Sequence, residues 1–203
     1  MPLNSREKIL AAVKKNQPPL EPLPAATAIV PIQFDNPLEK FKSVLEGIGG
    51  VVLQVNDLLQ VAAYVNNSFK EGNKYVTTIA SLTDVDQVDH SAKAHTLEDV
   101  EVAIMAADFA VAENGAVFIT ASSLKTRALP FICQHLVVLL PQHEIVHTMH
   151  QAYERIGAAT YDYAVFIAGP SKTADIEQSL VLGAHGPKTM TVCLLADNYL
   201  PNR

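Results

Sequence analysis

The run Leu136-Val137-Val138-Leu139-Leu140 decides the fold class of this chain. Every residue in it is apolar, and a short continuous apolar run of this kind is typical of a strand that is buried on both faces. Such strands occur in parallel sheets whose two faces are covered by helices. The run therefore predicts a central strand of an α/β domain.

Further strand-like and helix-like segments lie on both sides of this run. The predicted strands are Val51 to Val55, Tyr75 to Ala80, Tyr163 to Ala168 and Met190 to Leu195. The predicted helices are Pro37 to Ile48, Asp57 to about Lys70, Gln142 to Ile156 and Thr173 to Leu182. Because strands that alternate with helices form parallel sheets with crossover connections, the pattern predicts a mainly parallel sheet with helices on both faces.

Composition and charge narrow the classes of function. The chain has 203 residues, 49% of them hydrophobic and 18% charged, which fits a globular α/β protein. Its formal net charge is -6, and no cluster of Lys and Arg is present, so we expect no nucleic-acid partner. No stretch approaches the ~20 apolar residues that span a bilayer. We therefore expect no membrane segment and a cytoplasmic location.

The first 35 residues are predicted to form an arm ahead of the domain at 36–203. Asn4 and Glu7 have the spacing of a capping-box variant and open a short helix that ends by Asn16. Six prolines follow, and they forbid a regular helix and favour an extended conformation. These prolines are Pro18, Pro19, Pro22, Pro24, Pro31 and Pro37.

The two cysteines, Cys133 and Cys193, are predicted to be buried thiols. An iron-sulfur cluster takes about four cysteine ligands, so this chain alone cannot hold one. We expect no cofactor in this chain. If the protein takes part in electron transfer, another chain must carry the iron.

A first candidate site is the segment Glu113-Asn114-Gly115, which separates the apolar runs at 108–112 and 116–120. Asn-Gly is the strongest two-residue signal for a β-hairpin, because both residues accept positive φ. The segment is then either a plain turn, or a turn that holds Glu113 beside a cleft. In the second case the carboxylate would act as a nucleophile or general base.

A second candidate site begins at Gly169, where a predicted strand ends and the helix predicted from Thr173 begins. The segment 168–175, which contains Ser171 and Lys172, would point free backbone N–H groups and the positive helix end at a small anion. Ordinary capping explains the same residues, with Ser171 or Thr173 at the helix start and Asp175 near the dipole.

The other end of that predicted helix carries His185 and Gly186. The imidazole would then lie near the anion pocket. A histidine at a helix C-terminus is also a common partner of the helix dipole.

Three histidines, His143, His147 and His150, recur at helical spacing within the helix predicted from Gln142. That spacing can bind zinc or nickel. The apolar stripe of the same helix lies on the other side, which favours a solvated polar face for the histidines. Without them the sequence offers no metal site.

Two regions resemble the signature regions of the LUD-domain family, of the LutC/YkgG lactate-utilization type. The first is Ala107 to Gly115, and the second is Gly169 to Glu177 followed by Gly183 to Pro187. The likeness extends from about Pro37 onward. It implies a fold of the NagB/RpiA/CoA-transferase-like type. It also implies a role in oxidising L-lactate to pyruvate beside two companion proteins that carry iron-sulfur clusters.

A looser likeness concerns the first region alone. Ala112-Glu113-Asn114-Gly115 is similar to the Ser-Glu-Asn-Gly motif of one class of CoA transferases, in which the glutamate forms a covalent acyl intermediate. Here Ala112 replaces the serine.

Three functions therefore remain open. The leading hypothesis is an accessory or substrate-binding component of an L-lactate oxidation system that works with iron-sulfur partner proteins. In it, Glu113, Ser171, Thr173, Asp175 and His185 surround a small anion. The second is an independent CoA-transferase-like or phosphate-ester enzyme that uses Glu113. The third is a structural subunit without a ligand, and an oligomer is compatible with each.

Overall fold

The computed structural model describes residues 4–22, 30–70, 72–89, 91, 93–174 and 180–196. The chain divides into two compact units, Met1–Val30 and Pro31–Arg203. In the first unit, helix α1 (Ser5–Lys15) begins with the predicted capping box. Glu7 N donates to Asn4 Oδ1 at 2.9 Å, and Asn4 N donates to Glu7 Oε2 at 2.9 Å.

The second unit contains the remaining helices and all of the strands that the structure describes. The α-helices are α2 (Pro37–Gly47), α3 (Leu58–Ser68), α4 (Ala121–Leu124), α5 (Leu129–Ile132) and α6 (Met149–Ile156), and Ala94–Leu97 form a short 3₁₀ helix. The strands are β1 (Val51–Val55), β2 (Lys74–Thr77), β3 (Asp86–Gln87), β4 (Val100–Ala106), β5 (Phe109–Val111), β6 (Ala116–Thr120), β7 (His135–Pro141), β8 (Ile145–Val146), β9 (Ala164–Ile167), β10 (Lys172–Ala174), β11 (Leu180–Leu182) and β12 (Thr189–Leu195).

A six-stranded parallel sheet forms the centre of this unit, in the order β1-β12-β7-β4-β2-β3. The predicted parallel α/β architecture is confirmed. Strand β7 contains the apolar run that predicted it and lies between β12 and β4. Among the described residues, no helix is both long and apolar enough to cross a membrane.

The alternation of side chains along β7 explains why its whole run is apolar. Leu136, Val138 and Leu140 pack into a core that includes buried residues of α2. Val137 and Leu139 point to the opposite face and pack into a second core with buried residues of α3. A strand with helices on both sides has no solvent face, so every position is apolar.

A second sheet of four strands, in the order β8-β5-β6-β9, packs beside the larger one. Its central pair is the predicted hairpin of β5 and β6, which are antiparallel. Strand β9 pairs antiparallel with β6, and β8 pairs parallel with β5. Phe109 and Phe118 stack on its outer face with their ring centroids 4.8 Å apart. The sequence predicted the hairpin but not a separate sheet.

Candidate functional site

The first signature region forms the predicted turn between β5 and β6. Gly115 has a φ of +69°, and its backbone N donates to Val111 O at 3.0 Å. The side chain of Asn114 closes the turn, because Asn114 Oδ1 accepts from Ala116 N at 3.0 Å. The sequence therefore placed the turn correctly, but the four residues 112–115 join β5 to β6 instead of a two-residue turn, and of Asn114 and Gly115 only Gly115 has positive φ.

Gly115 is also required by its surroundings. A Cβ atom placed on it would lie 3.1 Å from both the backbone N and the Cα of Leu45 in α2. A backbone cannot yield as the end of a flexible side chain can. Both the positive φ and the close approach of α2 therefore select glycine at this position.

Glu113 projects from the turn toward the start of α6. Its Oε1 accepts a hydrogen bond of 2.7 Å from the backbone N of Met149, the first residue of that helix. Its own backbone N donates to His147 O at 3.0 Å. The first N–H groups of a helix lack partners within it, and the helix end carries partial positive charge, so a carboxylate stabilises it. Glu113 thus joins the turn to α6.

The second signature region differs from its prediction. The helix predicted from Thr173 to Leu182 is wrong: β10 and β11 pair antiparallel, with Lys172 opposite Leu182 and Thr173 opposite Val181. Backbone contacts at the base of this hairpin explain the difference. Ser171 N donates to Pro187 O at 2.9 Å, and Gly183 N donates to Ser171 O at 3.1 Å. These nonlocal bonds outweigh the local helix signal.

Without this helix the predicted anion site loses its physical basis. Lys172–Ala174 form a strand where the helix start was predicted, and the Ser171 N–H is bonded to Pro187 O. Asp175, another predicted site residue, lies outside the described residues. The predicted ligand-binding roles of Gly169, Lys172 and Thr173 stay predictions. Any anion binding by these residues would come from side chains or turn N–H groups and not from a helix end.

The structure does bring the two parts of the second region together. A Cβ atom on Gly186 would lie 3.2 Å from Ser171 Cβ and 3.5 Å from Ser171 Oγ. The exposed His185 precedes Gly186, and Pro187 follows it as the partner of Ser171 N. Ser171 therefore lies against the His-Gly-Pro loop, which we call the Ser171 cluster, and a ligand site there stays a prediction.

Both signature regions meet the carboxyl end of α2. Strands β6 and β9 pair with Val117 opposite Ile167, so Gly115 and Gly169 each lie two residues beyond that pair. Gly169 has a φ of +71°, and a Cβ atom on it would lie 3.1 Å from Ile48 Cγ1. One end of α2 thus covers both glycine turns, at Leu45 and at Ile48.

Lys172 extends the same contact. A Cβ atom on Gly49, whose φ is +92°, would lie 3.3 Å from Lys172 Nζ. The last carbonyl groups of a helix carry partial negative charge, and an ammonium group close to them is stabilising. The Lys172 side chain therefore lies over the turn that ends α2.

The predicted histidine face is wrong. Only His150 lies in α6, which begins at Met149 and not at Gln142. Residues 145–146 form β8, whose pairing with β5 holds that segment extended, and Thr148 is the N-cap. His143 and His147 therefore do not share a helical face with His150. Within the part of the chain that the structure describes, no group of three or more metal-ligating side chains is suited to a metal ion.

His147 has a structural partner instead. Its Nδ1 accepts from Phe34 N at 2.9 Å, and the two rings stack with centroids 6.1 Å apart. Its backbone N donates to Gln151 Oε1 at 2.7 Å. His147 thus binds the segment before α2 to the start of α6.

Residues 80–195, which include both signature regions, match the family model described as the LUD domain. The chain belongs to the LUD-domain family. Lactate utilization protein C from Shouchella clausii is 32% identical over 133 residues, covering 63% of this chain and 58% of that protein. The protein of the same name from Geobacillus kaustophilus is 33% identical over 106 residues, covering 49% of this chain and 44% of that protein. This LUD-domain chain therefore spans about half the length of these curated relatives.

A solved structure supports the fold of this LUD-domain protein. A DUF162 family protein from Deinococcus radiodurans aligns with a TM-score of 0.61 at 14% identity, covering 81% of this chain and 99% of that one. The agreement concerns the α/β fold alone. The finer likeness to NagB, RpiA and CoA transferases stays a prediction.

The sequence analysis overlooked one group of residues in the LUD domain. Glu101, His135 and Thr189 line a cleft of about 630 Å³ at the amino ends of the parallel strands. A signal for it was available, because His135 and Thr189 are polar residues at the first positions of two strands in which Thr191 is the one other polar residue. These residues come together because their strands are neighbours in the sheet, and the sequence did not provide the strand order.

Proposed function

We propose that this LUD-domain protein acts in L-lactate utilization, as an accessory or substrate-binding component of a system that oxidises L-lactate to pyruvate. One observation carries the proposal. The LUD-domain match at 80–195 includes both signature regions, and relatives that match at 32–33% identity are named lactate utilization protein C.

The cysteines support the assignment of the redox centres to partner proteins. Cys133 and Cys193 are the two cysteines of the chain, and both are free and buried. Burial raises the pKa of each thiol to about 12. The thiolate is the metal ligand, and a cluster takes about four of them, so iron-sulfur clusters would have to be held by other chains.

The cluster around Ser171 supports a substrate-binding role. It combines the Ser171 hydroxyl with the loop that carries the exposed His185, and a Cβ atom on Gly186 would lie only 3.2 Å from Ser171 Cβ. The neighbouring Lys172 adds a positive charge, although its ammonium group lies over the turn that ends α2. Hydroxyl, imidazole and ammonium groups are suited to a small carboxylate such as L-lactate or pyruvate.

The geometry favours a positioning role for Glu113 over a catalytic one. The CoA-transferase-like alternative requires its carboxylate to attack a substrate. Here one carboxylate oxygen is hydrogen-bonded to the backbone at the start of α6. The contact explains a glutamate at this position without a substrate.

The decisive experiment is genetic. The gene is deleted in a host without a paralogue, and growth is compared on L-lactate and on pyruvate as sole carbon source. We expect growth to fail on L-lactate alone and to return when the wild-type gene is restored. Normal growth of the deletion strain on L-lactate would reject the proposal.

Variants then locate the site within the protein. Gly186→Val would displace Ser171 and should fail to restore growth on L-lactate. Gly47→Val is the matched control, since neither Gly186 nor Gly47 has positive φ and a Cβ atom on Gly47 meets no atom within 4 Å. If both variants restored growth on L-lactate equally, the Ser171 cluster would not be needed for lactate utilization.

A further inference from the structure

The cleft at the amino ends of the parallel strands is built from three strands and one helix end. Glu101 comes from β4, His135 from β7 and Thr189 from β12, while Tyr64 and Phe69 come from the last turn of α3 and its C-cap. The volume of about 630 Å³ is within the range of small-molecule sites. In most open α/β sheets the ligand lies at the carboxyl ends of the strands, so this cleft is separate from the usual location.

Three side chains form a connected polar row along the cleft. His135 Nδ1 lies 2.7 Å from Thr189 Oγ1, and His135 Nε2 lies 3.5 Å from Glu101 Oε1. Burial is the main cause that lowers the pKa of His135, and Lys188 lowers it further, while Glu101 opposes both. The imidazole is therefore neutral at neutral pH, with one N–H and one acceptor nitrogen.

The carboxylate fixes the direction of these hydrogen bonds. A carboxylate only accepts, so the N–H of the neutral ring belongs on Nε2, facing Glu101. Nδ1 is then the acceptor, and the Thr189 hydroxyl donates to it. The groups that remain for a ligand at this wall are oxygen acceptors on Glu101 and Thr189. A ligand that contacts this wall must supply hydrogen-bond donors, such as hydroxyl groups.

The surface next to His135 is aromatic. Phe69 is half-buried, and its ring lies 4.6 Å from the His135 ring and 6.2 Å from the Tyr64 ring, between centroids. The Tyr64 hydroxyl lies 2.9 Å from Thr191 Oγ1, which holds the tyrosine in place. A ring ligand can pack one face on this surface while its hydroxyl groups reach the acceptor wall.

Charges of both signs surround the cleft. Glu101 and the carbonyl end of α3 are negative, while Lys70 and Lys188 are positive. The cleft therefore has no strong preference for a multiply charged anion, unlike a phosphate site. A neutral ligand fits this balance best.

We infer that this cleft binds a neutral ring compound with adjacent hydroxyl groups, a sugar or a nucleoside, whose hydroxyls donate to Glu101 and Thr189 and whose ring packs on Phe69. The site does not depend on the proposed role in lactate utilization, and its test requires no lactate.

The second signature region is connected to this cleft. Pro187 O accepts from Ser171 N, and the next residue, Lys188, donates its backbone N–H to Gln134 O at 2.7 Å. Gln134 precedes His135, and Lys188 precedes Thr189. The cleft therefore lies next to the base of the loop that carries His185.

Calorimetric titration with adenosine, uridine, D-ribose and D-glucose tests the inference, with 2′,3′-dideoxyadenosine as the analogue without the hydroxyl pair. We expect saturable binding of at least one of the four hydroxyl-bearing probes, and the set that binds distinguishes nucleosides from sugars. If adenosine binds, the dideoxy analogue should bind at least about tenfold more weakly, as expected for lost hydrogen bonds to a charged group.

Two variants and a matched control place the binding in the cleft. Glu101→Gln and Thr189→Val should each weaken binding, the first by about tenfold or more. Glu98→Gln makes the same chemical change at an exposed position outside the cleft and should leave binding unchanged. Circular dichroism checks that each variant is folded. No saturable binding at millimolar probe concentrations, or binding that folded Glu101→Gln and Thr189→Val both retain in full, would overturn the inference.

Discussion

Glu113 Oε1 accepts a hydrogen bond of 2.7 Å from the backbone N of Met149, which lies 36 residues further along the chain. We predict that Glu113→Ala destabilises the protein by about 1 kcal/mol, the usual effect of losing a helix cap. Glu113→Gln should destabilise it less, because the amide oxygen still accepts. Urea denaturation measures both changes, with Glu98→Ala as the exposed control. Equal stability of Glu113→Ala and wild type would contradict this role.

Substitution of Gly115 tests how closely α2 packs on the turn of the first signature region. Alanine at a positive φ costs about 1–2 kcal/mol, and at Gly115 the new Cβ atom also meets the backbone of Leu45. Gly72→Ala introduces the same kind of strain in open space and serves as the reference. We expect Gly115→Ala to be the more destabilising of the two by at least about 1 kcal/mol, the usual effect of overpacking. Equal losses of stability would show that α2 can move away.

Both cysteines should be unreactive in the folded protein. Burial raises the pKa of each thiol from 9.0 to about 12, and the thiolate is the reactive form. We predict that a disulfide reagent at pH 8 labels neither thiol in native protein and labels both after unfolding in denaturant. Rapid labelling of the native protein would mean that Cys133 or Cys193 reaches solvent.

His135 should make stability depend on pH. Its pKa in the folded protein is lowered from 6.5, so as the pH falls below 6.5 the unfolded chain takes up a proton before the folded protein does. Stability should therefore fall as the pH decreases through this range and level off below the folded pKa. We expect His135→Asn to reduce this decrease, as measured by urea midpoints across the range. An unchanged pH dependence would contradict the assignment of His135 as a neutral, partly buried group.

Local signals predicted the elements that depend on neighbouring residues. The Asn-Gly turn, the capping box of Asn4 and Glu7 and the strands at 51–55 and 136–140 were predicted because each needs only its own sequence and an apolar environment. The predicted helices at 142–156 and 173–182 failed where strands form by pairing. Strand β8 pairs with β5, which is distant in the chain. Strand β10 pairs with β11, and the bond from Ser171 N to Pro187 O holds the base of that hairpin. The helical pattern of each segment does not reveal these partners.

The same distinction applies to the candidate site. The sequence identified Gly115 and Gly169, because a turn requires each of them locally. It could not show that both face the end of α2, because Leu45 is distant in the chain from Gly115 and Ile48 is distant from Gly169. Glu101, His135 and Thr189 come together only through the order of β4, β7 and β12.

The most direct test of the central claim is L-lactate-dependent dye reduction in extracts of lactate-grown cells that lack this protein. We predict that the extract does not oxidise L-lactate, and that adding the purified wild-type protein restores dye reduction together with formation of pyruvate. An extract without the protein that oxidises L-lactate at the wild-type rate would contradict a role for this LUD-domain protein in lactate utilization.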